Sequence, residues 1–161
     1  MRRASLLLIL LTASFSSGCS FSTDYVIVNS SGTPVQVTYT IAPTGIDPLA
    51  ATGGGTPAML PTSELNGREW RKLSAAEFGF DRANRIVTVS LPPNQGLLIA
   101  RGGDYDPNPP VTEKFIIEEI RIAGPNGQII LKGDAVRKAF VVVPKPFYRF
   151  GPPTLLKLTY M

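Results

Sequence analysis

The sequence predicts an all-β fold, specifically an antiparallel β-sandwich of immunoglobulin-like architecture with one short helix near residues 74–78. Charged residues make up only 17% of the chain, whereas glycine and proline number 15 each, a balance typical of short strands joined by turns. Hydrophobic residues make up 43% of the 161 residues, which is enough to build the core of one domain. We therefore do not expect disorder over most of the chain.

The first eighteen residues form a targeting segment rather than part of the fold. Arg2 and Arg3 give it a positive start, and the uncharged run 4–13 that follows is too short to cross a bilayer core of about 30 Å as a helix. This combination is typical of a signal peptide. Its small residues Ser16-Ser17-Gly18 lead directly to Cys19.

In this segment the chain resembles bacterial lipoproteins, whose signal peptides end in a small residue followed by a cysteine that becomes acylated. Ser16 stands where that motif most often has leucine. The resemblance implies removal of residues 1–18, a diacylglycerol thioether on Cys19 and commonly an amide-linked chain such as palmitate. Stable anchoring requires more than one acyl chain, at ~0.8 kcal/mol per buried methylene.

The residue after the cysteine bears on which membrane carries the anchor. Gram-negative lipoproteins that stay in the inner membrane commonly have aspartate there, and this chain has Ser20. The resemblance therefore implies the periplasmic face of the outer membrane rather than the inner membrane.

An ordinary secretory signal is the alternative, because Ser16 and Gly18 also satisfy the small-x-small rule for cleavage without lipidation. The cysteine count favours the lipid. A lone cysteine in an oxidising compartment would be a free thiol prone to mispairing, whereas acylation consumes it. Residues 19–23 are then a lipidated tether, and residues 24–161 form the β-domain.

The β-domain is predicted to begin with a half-buried hairpin. Residues 24–29 are a short apolar run, Ser30-Ser31-Gly32-Thr33 has turn chemistry, and residues 35–41 alternate apolar and polar side chains. Proline and asparagine-glycine turns at 92–95 and 124–127 separate later strands. The further strands are predicted at 85–91, 96–100, 114–123, 128–132, 138–143 and 155–160.

One helical turn is predicted between these strands. The motif Ser74-Ala75-Ala76-Glu77 has the spacing of a capping box, Leu73 and Phe78 stand where a hydrophobic staple would close, and Gly79 offers a stop. Trp70 precedes it and is predicted to pack across one mouth of the sandwich, because a tryptophan buries a large area. A ligand platform is the other interpretation of this side chain.

The glycine- and proline-rich segment 43–61 is long for a loop of a compact domain. The first strand begins at most about 17 Å from the lipid, because only five residues separate Cys19 from Asp24. If that strand runs away from the membrane, segment 43–61 lies by the headgroups. The alternative is that its apolar residues fold onto the sandwich. These residues are Ile46, Leu49, Met59 and Leu60, with Asp47 as the only charge.

Several catalytic classes are excluded by composition. The chain has no histidine, which removes the Ser-His-Asp triad, the usual base for a cysteine nucleophile and the commonest zinc ligand. Acylation of Cys19 would remove thiolate chemistry as well. Paired carboxylates for glycoside hydrolysis stay open, although nothing singles out two of the 12 acids. We expect no enzyme, no cofactor and no metal.

Residues 104–108 imitate a calcium-binding loop. Asp104, Asp106 and Asn108 match its first three ligands, but Pro109 and Phe115 stand where an EF-hand needs glycine and a bidentate acid. A polar turn is therefore the prediction, and calcium binding by Asp104 and Asp106 is left open.

Charge is polarised along the chain. Residues 20–67 contain three acids and no base, whereas residues 132–161 contain six bases and the single acid Asp134. A basic patch beside anionic lipid or an acidic partner is one interpretation, and scattered lysines on a solvated surface are the other. Removal of Arg2 and Arg3 leaves 14 of the 16 basic residues against 12 acids, a net charge of +2. This is too weak a charge to predict nucleic-acid binding.

A proline-flanked aromatic segment within the basic region is the candidate partner surface. If exposed, it would form a binding ridge, and if buried, it would form the end of the core. Its residues are Lys145, Phe147, Tyr148, Arg149 and Phe150.

The sequence as a whole predicts a non-catalytic binding or structural subunit of an envelope assembly, transport or secretion system. We expect it to be held on the membrane through Cys19, with an envelope protein as its partner. The alternatives are a sugar- or peptidoglycan-binding domain, marked by clustered exposed aromatic residues, and an enzyme with two close carboxylates in a cleft.

Overall fold

The computed structural model describes residues 23–65, 70–102, 115–143 and 154–161, and these ranges contain eleven strands in two mostly antiparallel sheets. The predicted β class is confirmed at this level. The strands are β1 (Thr23–Asn29), β2 (Val35–Ile41), β3 (Ala58–Pro61), β4 (Arg71–Lys72), β5 (Phe78–Asp81), β6 (Ile86–Leu91), β7 (Gln95–Gly102), β8 (Ile117–Gly124), β9 (Gly127–Lys132), β10 (Val141–Val143) and β11 (Thr154–Tyr160). The helices are α1 (Pro48–Ala51), α2 (Asp134–Lys138) and a 3-10 turn (Thr62–Glu64).

The strand order is β10-β11-β1-β7-β3-β4 in the first sheet and β5-β6-β2-β8-β9 in the second. Among the described strand pairs, one departs from the expected antiparallel arrangement. β1 and β11 run parallel, with Thr23 opposite Thr154 and Asn29 opposite Tyr160. The last described strand therefore lies beside the first described strand.

All eight predicted strands have counterparts, but the structure adds three short ones, β3, β4 and β5. One prediction merged two elements, because residues 138–143 contain the last residue of α2 and then β10. The prediction missed α2 because Val136 is its one fully buried residue, which leaves almost no helical periodicity to detect.

The predicted hairpin of 24–29 and 35–41 is wrong, because β1 and β2 lie in different sheets. A buried asparagine holds the corner between them. The Asn29 amide nitrogen donates to the carbonyls of Thr33 (2.8 Å) and Leu91 (3.0 Å), and its oxygen accepts from the amide (3.0 Å) and hydroxyl (2.6 Å) of Ser31. These hydrogen bonds hold the chain where it passes from the first sheet to the second. Residues 30–33 have the turn chemistry of a hairpin, but here they connect the two sheets.

β1 is the most deeply buried strand, with all seven residues buried. Its Ile27 belongs to the main core, which draws side chains from both sheets. Val26 and Val28 point to the opposite face of the first sheet and form a second cluster there with Ala58 and Leu98. The strand is thus covered on both faces, which explains the uninterrupted apolar run at residues 25–28.

β2 shows the predicted alternation. Val35, Val37, Tyr39 and Ile41 are buried in the main core, and the residues between them lie on the more exposed outer face of the second sheet. Burial raises the pKa of the Tyr39 hydroxyl well above its usual value.

The predicted helix near 74–78 is wrong. The capping-box bonds do form, since the Ser74 amide and hydroxyl donate to Glu77 at 2.8 and 2.9 Å, but the chain makes only a turn there. Phe78 and Phe80 then continue as β5, paired with β6 and packed against the main core. Burial of two aromatic rings on alternate strand positions outweighs the local helix signal.

Trp70 does not close a mouth between the sheets, contrary to the prediction. It is half-buried on the outer face of the first sheet, where it packs with Leu65 and Val143 against the second cluster of Val26, Val28, Ala58 and Leu98.

Segment 43–61 follows the folded alternative. Met59 and Leu60 are buried in β3, and Leu49 packs on the main core from α1. Asp47 caps α1 by accepting from the amides of Leu49 and Ala50 at 3.0 and 3.3 Å. Ile46 is the one large apolar residue of this segment that is exposed, at 63%.

Candidate functional site

Five chain passages meet at one end of the two sheets. Thr23 begins β1, and it lies opposite both Gly102 at the end of β7 and Thr154 at the start of β11. Phe115 lies just before β8. Val143, the last residue of β10, lies opposite Leu155, which is the residue after Thr154 on β11. We call this end the N-terminal pole. The sequence stretches 1–22, 103–114 and 144–153 all join the described chain there.

An ion pair between a buried carboxylate and a partly exposed guanidinium lies at the N-terminal pole. Arg101 donates from Nε to Asp24 Oδ1 at 2.7 Å and from Nη2 to Oδ2 at 3.4 Å. The Asp24 side chain is 9% exposed and that of Arg101 is 39% exposed. The hydrogen bond to Asp24 raises the pKa of the Arg101 guanidinium. It joins the start of β1 to the end of β7 five residues after Cys19.

The loop after α1 packs against this pair. The Arg101 amide donates to the carbonyl of the buried Thr52 at 2.6 Å. Gly53 has a φ of +70°, and a Cβ at that position would overlap the Arg101 carbonyl oxygen. Only glycine therefore allows both the backbone conformation and the close approach. The loop is held firmly against the first sheet.

Three aromatic rings close the core beneath the N-terminal pole. The ring of Tyr25 lies 4.6 Å from that of Phe115 and 5.5 Å from that of Phe140, measured between centroids. Phe115 and Phe140 meet edge to face at 6.2 Å. Phe115 is also the residue at the twelfth position of the calcium-like pattern. That position therefore contributes to the core, where an EF-hand would supply a bidentate acid.

The exposed rim of the pole carries one apolar side chain among charges. Ile46 is 63% exposed and precedes Asp47, which accepts a salt bridge from Arg82 at 2.8 Å. Arg85 adopts a φ of +57° in the turn before β6, and its guanidinium donates to the Ile41 carbonyl at 3.0 Å. The rim offers a surface of mixed charge around Ile46.

Most sequence-predicted site residues lie outside the described ranges. These are Cys19, Asp104, Asp106, Lys145, Phe147, Tyr148, Arg149 and Phe150. The described residues next to these stretches, Thr23, Gly102, Phe115, Val143 and Thr154, lie at the N-terminal pole.

The carboxylates whose pKa is perturbed have structural partners. Hydrogen bonds from the Ser74 amide, Arg71 and the Ser74 hydroxyl lower the pKa of Glu77 to about 2. Hydrogen bonds from Arg121 and Lys132 lower the pKa of Glu119. Within residues 23–65, 70–102, 115–143 and 154–161, no group of three or more acidic or cysteine side chains is placed to hold a metal ion.

The Asp24–Arg101 pair is the main feature that sequence reasoning missed. Its two members are 77 positions apart, so no local pattern connects them. The available signal was the position of Asp24, a charge at the head of an otherwise apolar strand.

None of the described helices is long and apolar enough to cross a bilayer. Comparisons with models of protein families, with curated protein sequences and with solved structures returned no match.

Proposed function

We propose that the protein is an envelope lipoprotein, anchored through acylated Cys19, whose β-domain is a non-catalytic binding or structural subunit of an envelope machine. The acyl chains hold it on the periplasmic face of the outer membrane. The β-domain presents its N-terminal pole to the membrane and to an envelope protein partner.

The observation that carries this proposal is how the tether joins the fold. Thr23 is the fourth residue after Cys19, which limits the lipid to about 14 Å from the start of β1. β1 is buried on both faces and lies between β7 and β11 in the first sheet. The Asp24–Arg101 ion pair links the start of β1 to the end of β7. Force on the anchor therefore acts on the centre of the first sheet, an arrangement suited to a bracing subunit.

The finer architecture belongs to the same proposal. We infer that the two sheets pack face to face as an immunoglobulin-like sandwich. Support comes from the main core, which is filled by alternate residues of β2 and β6 from one sheet and of β1 and β7 from the other.

Photo-crosslinking in intact cells tests the function. A photoreactive amino acid at Ile46, on the N-terminal pole, should give a discrete adduct with one envelope protein. The matched control is Asn126, an exposed residue of the turn between β8 and β9 at the opposite end of the sheets. The Ile46 adduct should disappear with Cys19→Ser, because that chain leaves the membrane.

Two results would contradict the proposal. One is an adduct pattern that is the same at Ile46 and Asn126 and that Cys19→Ser does not change. The other is a catalytic turnover by the purified chain that substitution of a single carboxylate abolishes. The sugar-binding alternative has no specific support, since the aromatic side chains whose burial the structure describes are all buried or half-buried.

A further inference from the structure

Two of the exposed large apolar side chains in the described part of the chain follow one another on the edge strand β10. Val141 is 67% exposed and Val142 is 44% exposed on β10, and Ile130 is 49% exposed on β9. β10 is the outer strand of the first sheet and β9 that of the second, and α2 connects them. A single exposed apolar residue such as Ile130 is ordinary, whereas two in succession on an edge strand indicate a contact surface.

The shortness of β10 is its own protection as a sheet edge, since its three residues include no charge and no proline. It pairs with β11 on one side, from Val141 opposite Lys157 to Val143 opposite Leu155, and no described strand pairs with its other side. Edge strands are usually protected by a charge, a proline or a bulge. β10 consists of three valines, the residue type that most favours strand pairing. By contrast, β4 consists of Arg71 and Lys72, and β9 ends on Lys132.

The chain around this edge is basic. α2 ends with Arg137 and Lys138 just before β10, and Lys157 lies opposite Val141. The described residues of α2, β10 and β11 contain one acid, Asp134, at the other end of α2. An apolar strand edge with cations beside it is complementary to an extended segment that carries acids at its ends.

We propose that the free edge of β10 binds an extended segment of a partner protein as an additional strand, with apolar residues at its centre and acidic residues at its flanks. This inference rests on the proposed role as a binding subunit and assigns that role a surface and a partner chemistry. Main-chain hydrogen bonds to residues 141–143 would supply affinity, and Lys138, at the end of α2 just before β10, would select acidic flanks.

The same observations disfavour the other occupants. Acyl chains offer no hydrogen bonds to the unpaired backbone groups of an edge strand. A second copy paired edge to edge would bring the basic residues of two chains together, which costs free energy.

A synthetic peptide with a valine–threonine centre and two acidic residues at each end is the probe, bound to the full chain in detergent. Two further peptides carry N-methyl groups on odd or on even residues, because one edge of a strand exposes the amides of alternate residues only. One methylated peptide should lose binding and the other should keep it. Loss or retention of binding by both would overturn strand addition.

Variants of the chain locate the peptide. Val142→Asp should abolish detectable binding, whereas Ile130→Asp, a matched change at a similarly exposed apolar residue on the β9 edge, should leave it intact. Lys138→Glu should weaken binding by about fivefold, as expected when an exposed attraction becomes a repulsion, and a peptide with lysine flanks should then bind better. Circular dichroism confirms that each variant is folded.

The outcomes separate this inference from the proposed function. If Cys19 is acylated and the Ile46 crosslink forms, but the acidic peptide does not bind or Ile130→Asp also abolishes its binding, the β10 inference is wrong and the proposed function stands. A dimer in sedimentation that Val142→Asp dissociates would replace the partner segment with a second copy. Binding of phosphatidylglycerol vesicles by Cys19→Ser chain that Val141→Asp abolishes would assign the edge to lipid and overturn the inference.

Discussion

Replacement of Asn29 by alanine should lower the free energy of unfolding by about 3 kcal/mol. Asn29 has no exposed surface, and its side chain makes four hydrogen bonds. It donates two, to the carbonyls of Thr33 and Leu91, and accepts two, from the amide and hydroxyl of Ser31. Each such bond contributes about 1 kcal/mol net. The bond to Leu91 is buried, so its loss leaves a carbonyl without water to replace the donor, whereas the partly buried Thr33 carbonyl recovers part of its loss.

Asn29→Asp should lower the free energy of unfolding further at neutral pH. A carboxylate oxygen then replaces the amide nitrogen that donated to the carbonyls of Thr33 and Leu91, and oxygen repels oxygen. Burial and this repulsion raise the pKa of the new carboxyl in the folded state above the unfolded value of about 3.9. The penalty is therefore present in full above the folded pKa. It shrinks as the pH falls through the folded pKa toward the unfolded one.

Urea denaturation of wild type, Asn29→Ala, Asn29→Asp and the control Asn126→Asp measures these effects. The exposed control should change stability by less than about 0.5 kcal/mol. Ser31→Ala should cost less than Asn29→Ala, because it removes two bonds and leaves the contact with Leu91. A change below about 1 kcal/mol for Asn29→Ala would refute the assignment of the corner to this side chain.

Glu77→Gln should destabilise the fold at neutral pH, because Glu77 has a pKa lowered from 4.5 to about 2, chiefly by the Ser74 amide. The stabilisation by ionised Glu77 is present above the unfolded pKa and is lost as the pH falls through about 2. The free energies of unfolding of variant and wild type should therefore converge near pH 2 in denaturation experiments, and a difference that does not change with pH would contradict this role of Glu77. Gly53→Ala should cost about 2–4 kcal/mol in thermal unfolding, because its Cβ overlaps the Arg101 carbonyl oxygen at a φ of +70°, and an unchanged midpoint would show that the loop yields. Trp70→Ala should cost about 2 kcal/mol and increase dye binding by exposing the outer cluster of the first sheet, whereas a neutral result would mean that Trp70 does not cover it.

Strands were predictable from sequence where one face is buried and the other exposed. β2 shows this, because its alternation of apolar and polar residues fixes both its type and its bounds. β1 was predictable as a strand from its apolar run, but its position between β7 and β11 was not. Pairing depends on contacts with residues far along the chain, which periodicity does not report.

The two incorrect local predictions have a shared physical cause. Residues 30–33 have turn chemistry, and residues 74–77 form the hydrogen bonds of a capping box, so each local signal was present. Tertiary burial decided what the chain does next. Asn29 turns the chain from one sheet to the other, and Phe78 enters the core from a strand.

The candidate site divides in the same way. The Cys19 motif is local, so the sequence alone predicts it and it stays a prediction, whereas the Asp24–Arg101 pair joins residues 77 positions apart and has no local pattern. The meeting of five chain passages at the N-terminal pole follows from the parallel pairing of β1 and β11, which no local sequence pattern specifies.

Mass spectrometry of the N-terminal peptide tests the central claim most directly. In chain purified from membranes, we predict that this peptide begins at Cys19 and carries the added mass of a diacylglycerol thioether, with a further acyl chain on the amine. Cys19→Ser should give no lipidated peptide and should leave the membrane fraction or accumulate as precursor. An N-terminal peptide with an unmodified cysteine, recovered from chain in the soluble fraction, would contradict the lipid anchor and make ordinary secretion the explanation.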